Sequence, residues 1–459
     1  MLKKNDTLVL DIYDITNLGF GVGKCHGQIV FVSGAVPGDT AKVKVIKINK
    51  SYAIARLEEL ITRSDKRCSD NCPLPYCKSC AYKEISYSYE LLLKENTIKS
   101  AFLKEGLSDV KVMPTVPSPK TKEYRNKAQY PIAKDKNGEY VIGFYAPKSH
   151  RVTEAAACPL APAVFMEINE TLRSFFKKEG YSVYDEESGE GLLRHIYLRR
   201  GEVSGEILLT IVINGKELPG AERLAKMIRD KFPCVVGILI NQNLENTNVI
   251  LGEVYECVWG RDFIYDTLSG VELKISAPSF YQVNHASTEL LYAKARELAR
   301  LNKTDTLLDL FCGAGSIGLS MADDSGELIG IEIVESAVEC AKENALRAGL
   351  KNANFFTGDA AETENLLLSA EKALGKKIEP DVIILDPPRA GCDEKLVAFA
   401  SSLSPKRIVY ISCNPTTLAR DVKRFKDNGY VCDTVYGFDL FPHTGHVESV
   451  VCLTRTFDN

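Results

Sequence analysis

From residue 286 onward, segments with helical spacing alternate with short, wholly apolar runs, and this limits the possible folds more than any other feature. ASTELLYAKARELARL carries apolar residues at helical intervals, and TLLDLFCGAG reads as a strand running into a glycine turn. SIGLSMADD, LIGIEIV, SAVECAKENALRAG, NFFTGDA, DVIILDPP and RIVYISCNP continue the alternation. Apolar runs of this length without a polar face suit strands covered on both sides by helices. The expected class is therefore α/β, with a doubly wound, Rossmann-like domain over 276–459 that binds ligands at the carboxyl ends of its strands.

The chain ahead of this domain has a different pattern. Residues 1–60 alternate β-type runs with closely spaced glycine turns, which predicts a small antiparallel, OB-like β-barrel. Lys42, Lys44, Lys47 and Lys50 concentrate charge on one edge of it, either as a solvated strand face or as a nucleic-acid-binding surface. Residues 61–275 begin with a cysteine-rich loop and a predicted helix, ISYSYELLLKENTIKSAFLK, and continue as a mixed, β-rich central domain with charged segments. A length of 459 residues fits three domains at about 150 residues each. No apolar run approaches the roughly 20 residues of a membrane span, so no membrane partner is expected. MLKKND shows no secretory signal, and the 14 cysteines are too sparse for a disulfide scaffold, so a cytoplasmic protein is expected. A net charge of −4 leaves the nature of any polyanion partner to local patches, and a monomer is the default expectation.

Gly313, Gly315 and Gly318 form a G-x-G-x-x-G pattern between a strand and a helix, which a nicotinamide dehydrogenase would also carry. Glu332, ending the next strand, would bind ribose hydroxyls in either case. Asp309 before the turn, Asp359 in TGDA and the rigid LDPPR run (385–389) favour S-adenosylmethionine instead. Each acid alone could be a cap or turn residue; their placement on successive strand ends makes the pattern specific.

YISCNP (410–415) places Cys413 directly after an apolar strand, at the ligand edge. Carbon-5 of uracil is a poor nucleophile. A thiolate adding to carbon-6 converts carbon-5 into an enolate-like carbon that can attack an electrophilic methyl group, and a base must then remove the carbon-5 proton. Glu448 in HVESV is the expected base, with His443 and His446 as competitors. Methylation at nitrogen needs no thiol, so the pairing of DPPR with SCNP points to carbon methylation of a pyrimidine.

SFYQVN (279–284), DLFCGAGSIGL (309–319), LDPPR, YISCNP and HVESV together resemble the RNA uracil-5-methyltransferases. YRNKAQYP, GFYAPKSH and GLLRH extend the likeness over nearly the whole chain, and the front barrel looks like a TRAM module, an RNA-binding domain. The resemblance implies Cys413 as nucleophile and Glu448 as proton acceptor. It places Gln282, Phe311, Glu332 and Asp386 at the S-adenosylmethionine site, with Gly313 and Asp359 close by. Phe311 stands where many relatives carry tyrosine. The likeness is greatest to the iron–sulfur-containing branch that modifies 23S ribosomal RNA, which makes 23S rRNA the expected partner. Two alternatives are the same reaction on transfer RNA and a catalytically silent TRAM-type RNA-binding or ribosome-assembly factor.

RCSDNCPLPYCKSC supplies Cys68, Cys72, Cys77 and Cys80 in one short loop, a crowding that suggests a metal centre such as structural zinc. The resembled branch instead implies a 4Fe-4S cluster on Cys72, Cys77, Cys80 and the distant Cys158, with Cys68 spare. Two departures stand out. Four residues separate Cys72 from Cys77 where relatives usually have five, and Lys78 and Ser79 replace two glycines. The expected role is structural or RNA-positioning, since the thiol route needs no electrons.

Overall fold

A computed structural model describes residues 2–69, 72–74, 77, 79–146, 149–155, 157–360, 362 and 365–456. Three large sheets and a two-stranded one, Phe263–Leu268 with Val271–Ser276, organise them. The front sheet runs in the order Thr7–Asp11, Thr40–Ile48, Tyr52–Thr62, Gln28–Ser33, Phe20–Cys25 and Asp14–Ile15. Strict alternation in Thr40–Ile48 sends Ala41, Val43 and Val45 into a core with Val30, Val32, Ala53 and Ala55. Two expectations for this region need revision. Gln28–Ser33 pairs parallel to Tyr52–Thr62, because the hairpin of Thr40–Ile48 and Tyr52–Thr62 docks its second strand beside Gln28–Ser33. The lysine-bearing strand is therefore internal rather than an edge. Its lysines leave from a sheet face, and Lys42 lies 3.8 Å from Glu59 on the neighbouring strand.

The central sheet has the order Val152–Glu154, Tyr140–Tyr145, Lys127–Lys134, Leu193–Arg200, Ile207–Ile213, Val235–Gln242 and Val254–Gly260. Helices Ala163–Glu179 and Ala221–Lys231 cover one face, burying Phe165, Leu172, Phe176, Leu224 and Ile228. On the opposite face Tyr197, Leu208 and Leu239 share a core with the C-terminal domain.

The C-terminal sheet runs Ala353–Thr357, Glu327–Glu332, Thr306–Leu310, Val382–Leu385, Arg407–Ser412, Glu448–Arg455, Thr434–Phe438 and Lys111–Val112. The first five strands are parallel and Glu448–Arg455 is antiparallel to both its long neighbours. Strand order reverses between Thr306–Leu310 and its neighbour Val382–Leu385, so a crevice opens above their carboxyl ends. The doubly wound α/β expectation holds. Helix Tyr87–Lys104 and the strand Lys111–Val112 cross over to this sheet, and Ile98 and Phe102 enter its core. Lys94 of that helix lies fully buried between Glu90 (2.6 Å) and Asp439 (2.7 Å). A buried charge survives only when paired in this way. No helix among the described residues is long and apolar enough to cross a membrane.

Candidate active site

The first half of the crevice is built by the glycine turn. Strand Thr306–Leu310 ends in Phe311 at φ +85°, a conformation that costs a bulky residue about 1–3 kcal/mol. The amides of Phe311 and Cys312 both donate to the Ile331 carbonyl at 3.0 Å, which holds the turn against the next strand. Gly313 N–H donates to Glu332 Oε2 and Val334 N–H to Glu332 Oε1, each at 3.0 Å, fixing that carboxylate at its strand end. Asp309 lies beneath the turn, fully buried, and accepts from Gly318 N–H at 3.1 Å. A Cβ at Gly318, the third residue of helix Ser316–Met321, would come 2.9 Å from that same Asp309 oxygen, so a larger residue there would press on the carboxylate. A pocket of about 220 Å³ above the strand ends is walled by Phe311, Ile331, Glu332, Ile333, Asp359 and Pro388. Phe311, Glu332 and Asp359, expected at the cofactor from sequence, thus share one cavity; Gln282, Gly313 and Asp386 lie outside its lining.

The second half is reactive in character. Strand Arg407–Ser412 delivers Cys413 immediately before helix Pro415–Asp427, whose N-cap Asn414 accepts from Thr416 N–H at 3.1 Å. Asn414 Nδ2 and Thr417 Oγ1 both donate to the Arg389 carbonyl, at 3.2 and 3.3 Å, stapling the DPPR loop to the cysteine loop. Cys413 is half-buried. Burial and the carboxyls of Glu448 and Asp386 raise its thiol pKa, while the Arg389 guanidinium acts in the opposite direction by charge and hydrogen bond. Glu448 opens the strand Glu448–Arg455 and is only 4% exposed. Burial, reinforced by Asp386 and opposed by Arg389, pushes its carboxyl up to about 8. Burial alone takes Asp386 to about 7, and burial with the charge of Asp386 does the same to Asp309. A concentration of carboxyls this costly to ionise suits a cationic ligand.

Arg389 and Tyr292 received no role from the sequence. Arg389 stood inside the quoted DPPR run, and its positive charge beside a strand-end acid was the available signal. Tyr292 lies on helix His285–Ala299, with its hydroxyl 2.9 Å from Ser316 Oγ and its pKa raised by burial and by Asp386, Asp309 and Glu448. No local pattern distinguishes it from a core tyrosine. Of the competing bases, His443 faces Glu90 at 3.9 Å, whereas His446 packs edge-on to Phe441 and feels the charge of Arg389. Neither figures among the groups that shift Cys413.

The central domain holds the 279–284 loop in place. Arg199 Nη2 donates to the Ser279 carbonyl at 2.6 Å, and Asn126 Nδ2 to the Gln282 carbonyl at 2.8 Å. Phe280 is 69% exposed, while Tyr281 is buried with its hydroxyl donating to Asp266 at 2.9 Å. Tyr281 is thus a core residue, and Phe280 alone of the pair is free to stack on a base.

Residues 86–456 match the family described as tRNA (Uracil-5-)-methyltransferase, and residues 3–57 match the TRAM domain. The chain belongs to the RNA uracil-5-methyltransferase family. It is an S-adenosylmethionine-dependent enzyme that methylates carbon-5 of uracil in RNA, not a silent binding factor. An RNA methyltransferase of Oceanobacillus iheyensis is 37% identical over 460 residues, covering 100% of this chain and 98% of the relative. One from Bacillus cereus is 38% identical over 456 residues, covering 99% and 98%. The crystal structure of Pyrococcus abyssi tRNA (uracil-54, C5)-methyltransferase in complex with S-adenosyl-L-homocysteine superposes with a TM-score of 0.78. It is 29% identical, and the match covers 97% of this chain and 100% of that one.

Two linked expectations are corrected. Among the described residues, no group of three or more His, Cys, Asp or Glu side chains is arranged to hold a metal ion, which overturns the 4Fe-4S cluster on Cys72, Cys77, Cys80 and Cys158. The similar enzyme with a solved structure acts, by its description, on tRNA, which overturns placement in the iron–sulfur 23S rRNA branch. The physical reason lies in the loop. Cys72, Cys77 and Cys158 lie near enough to Cys80 to help burial raise its thiol to about 12, so the four are neighbours. The Cys77 thiol, however, donates to Ser79 Oγ at 3.4 Å, and Ser79 stands where the resembled branch has glycine. Cys68 turns to the carbonyls of Lys83 and Ile85, at 3.5 and 3.2 Å. Metal ligation requires thiolates, and burial raises the Cys80 and Cys158 thiols toward the protonated form.

Proposed function

We propose that this enzyme methylates a uridine of transfer RNA, with Cys413 as nucleophile and Glu448 as proton acceptor. The observation that carries the chemistry is the placement of Cys413 at a strand end, with Arg389 and the carboxyls of Glu448 and Asp386 as the charges acting on its thiol. Likeness over nearly the full length to a tRNA (uracil-54, C5)-methyltransferase supports the choice of RNA.

Bound S-adenosylmethionine would supply one thing, an electrophilic methyl group for carbon-5. Phe311, Glu332 and Asp359 would hold its adenosine, with an aromatic wall and two acceptors for hydroxyl and amino hydrogens. Gly313, Gln282 and Asp386 would border the rest of the molecule, where carboxylates such as Asp386 favour its positive sulfur. Arg389 favours the Cys413 thiolate, which adds to carbon-6 of the uracil and leaves an electron pair on carbon-5. Once carbon-5 is methylated, Glu448 takes its remaining hydrogen as a proton, the carbon-5–carbon-6 double bond re-forms, and the Cys413 sulfur leaves with its electrons. A carboxyl near 8 accepts that proton far more readily than an ordinary glutamate.

The test is incubation with labelled S-adenosylmethionine and either unmodified tRNA or 23S rRNA transcripts, followed by nucleoside analysis. 5-Methyluridine in tRNA is expected; label confined to rRNA would overturn the substrate, and label on any other nucleoside would overturn the chemistry.

A further inference from the structure

The strand Leu193–Arg200 leads away from the reaction centre to a second cavity. Arg199 at one end reaches the Ser279 carbonyl of the loop that carries Gln282. His195, four residues back on the same face of the strand, lies roughly 13 Å away. There the pairing of Leu193–Arg200 with Ile207–Ile213 slips between Leu193 and His195. This irregularity turns both Arg194 and His195 toward one cavity of about 620 Å³, although alternation would send them to opposite faces. Tyr145, Ser149, His150, Glu186, Thr247 and Asn248 complete its polar and aromatic lining, and Ala146, Val249 and Ile250 its apolar part.

Two buried polar atoms of this lining have no partner among the described residues. His195 is 7% exposed and its Nδ1 is unpaired; Arg194 is 5% exposed and its Nε is unpaired. Leaving such atoms without a partner is costly, so a ligand that meets them gains in affinity. The rest of Arg194 is committed. Its Nη1 donates to the carbonyls of Asn243 and Glu245, at 2.7 and 2.8 Å, and its guanidinium lies over the Tyr184 ring at 4.1 Å.

The chemistry of the lining selects among ligands. The Tyr145 hydroxyl donates to Glu186 Oε1 at 2.9 Å, so toward His195 Nε2, at 3.5 Å, it can act only as acceptor. That assignment leaves His195 Nδ1 as a bare acceptor. Burial and the charge of Arg194 keep the ring neutral, with a pKa of about 4. The Glu186 carboxylate, paired to His150, adds further acceptors. One unpaired acceptor, His195 Nδ1, beside one unpaired donor, Arg194 Nε, suits the edge of a flat ring that carries an amino group next to an acceptor, and Tyr145 and His150, edge-on to each other at 6.2 Å, offer faces to stack on.

We propose that this cavity takes a second, unstacked nucleobase of the same RNA, one bearing an amino group, a short distance along the strand from the target uridine. The subsite rests on the reading of the enzyme as an RNA methyltransferase that draws its uridine out of the stack. Extruding one base weakens the stacking of its neighbours, and capture of a neighbour would hold the strand open and fix which uridine reaches Cys413.

The experiment uses the full-length enzyme and substrate RNAs carrying 2-aminopurine at each position neighbouring the target uridine in turn. Binding should raise the fluorescence at one of these positions, as well as deliver the uridine for methylation. Tyr145 is 40% exposed, so Tyr145→Ala should fold; it should abolish that rise, weaken RNA affinity about tenfold and raise KM for RNA with kcat at saturation retained. His195→Asn, which keeps a polar side chain, should lower affinity in the same direction. If the wild-type enzyme forms 5-methyluridine while no neighbouring position brightens, or while both variants bind RNA as tightly as wild type, the subsite is wrong and the function stands. If no 5-methyluridine forms on any RNA, the functional reading fails and the subsite fails with it.

Discussion

Two sets of cysteines in this chain show how little a thiol's residue type says about its use. Cys72, Cys77, Cys80 and Cys158 gather at one place, where burial and the neighbouring cysteines raise the Cys80 thiol against the opposing charge of Arg125, and Cys77 is occupied by Ser79. Cys413 stands apart from other cysteines, at the end of a buried strand, with an arginine and two carboxyls acting on it. Crowding in sequence drew attention to the first set, and motif context to the second. What separates them is charge. A thiol can serve as a nucleophile where a cation favours its ionised form and a base is at hand, and of the two sets it is Cys413 that has both an arginine and carboxyls acting on it.

The sharpest test of this contrast is removal of the sulfur itself. Cys413→Ala should lower 5-methyluridine formation by about a thousandfold or more and abolish the covalent adduct that 5-fluorouridine-containing RNA traps, read on a denaturing gel. Methylation at the wild-type rate would break the comparison outright.

Next comes Glu448→Gln, which should slow turnover about a hundredfold and let the methylated RNA–protein adduct accumulate, because addition proceeds and elimination stalls. The sign of its pH dependence follows from the raised pKa. Below about 8 the Glu448 carboxyl holds a proton and cannot accept another, so kcat in the wild type should rise with pH through about 8. Loss of that rise in the glutamine variant, measured across a pH series, ties it to this group.

Arg389→Leu should have a smaller effect. With the guanidinium gone, the Cys413 thiol pKa moves further up and the rate at neutral pH falls about tenfold, with partial recovery in alkali. Alkylation of Cys413 against pH measures the shift directly; an unchanged titration would remove Arg389 from the argument. Smallest of all, Cys80→Ala should leave kcat within about twofold of wild type, as expected of a substitution outside the reaction centre. A loss comparable to that of Cys413→Ala would erase the distinction between the two sets.

The candidate site was legible in part. Acids at strand ends beside the glycine turn marked Glu332 and Asp359, because a turn and a strand end are local features written in consecutive residues, whereas Phe311 came from the family resemblance. Arg389 was visible only as the last letter of a motif, since its relation to Cys413 depends on two loops joined through Asn414 and Thr417. The metal cluster was misread for the converse reason: four cysteines close in sequence or in space need not direct their sulfurs to one point.

By itself the sequence determined the kind and order of the elements, the three sheet-forming regions and the family, because period, turn residues and strand-end motifs are properties of short stretches. Tertiary structure alone decided the parallel pairing inside the front sheet, the left-handed backbone at Phe311 and the meeting of Lys94 with Asp439, 345 residues apart. It also decided that Cys413, rather than any of the clustered cysteines, sits among opposed charges. Electrostatic environment is a sum over neighbours from distant segments, and no short stretch of chain contains that sum.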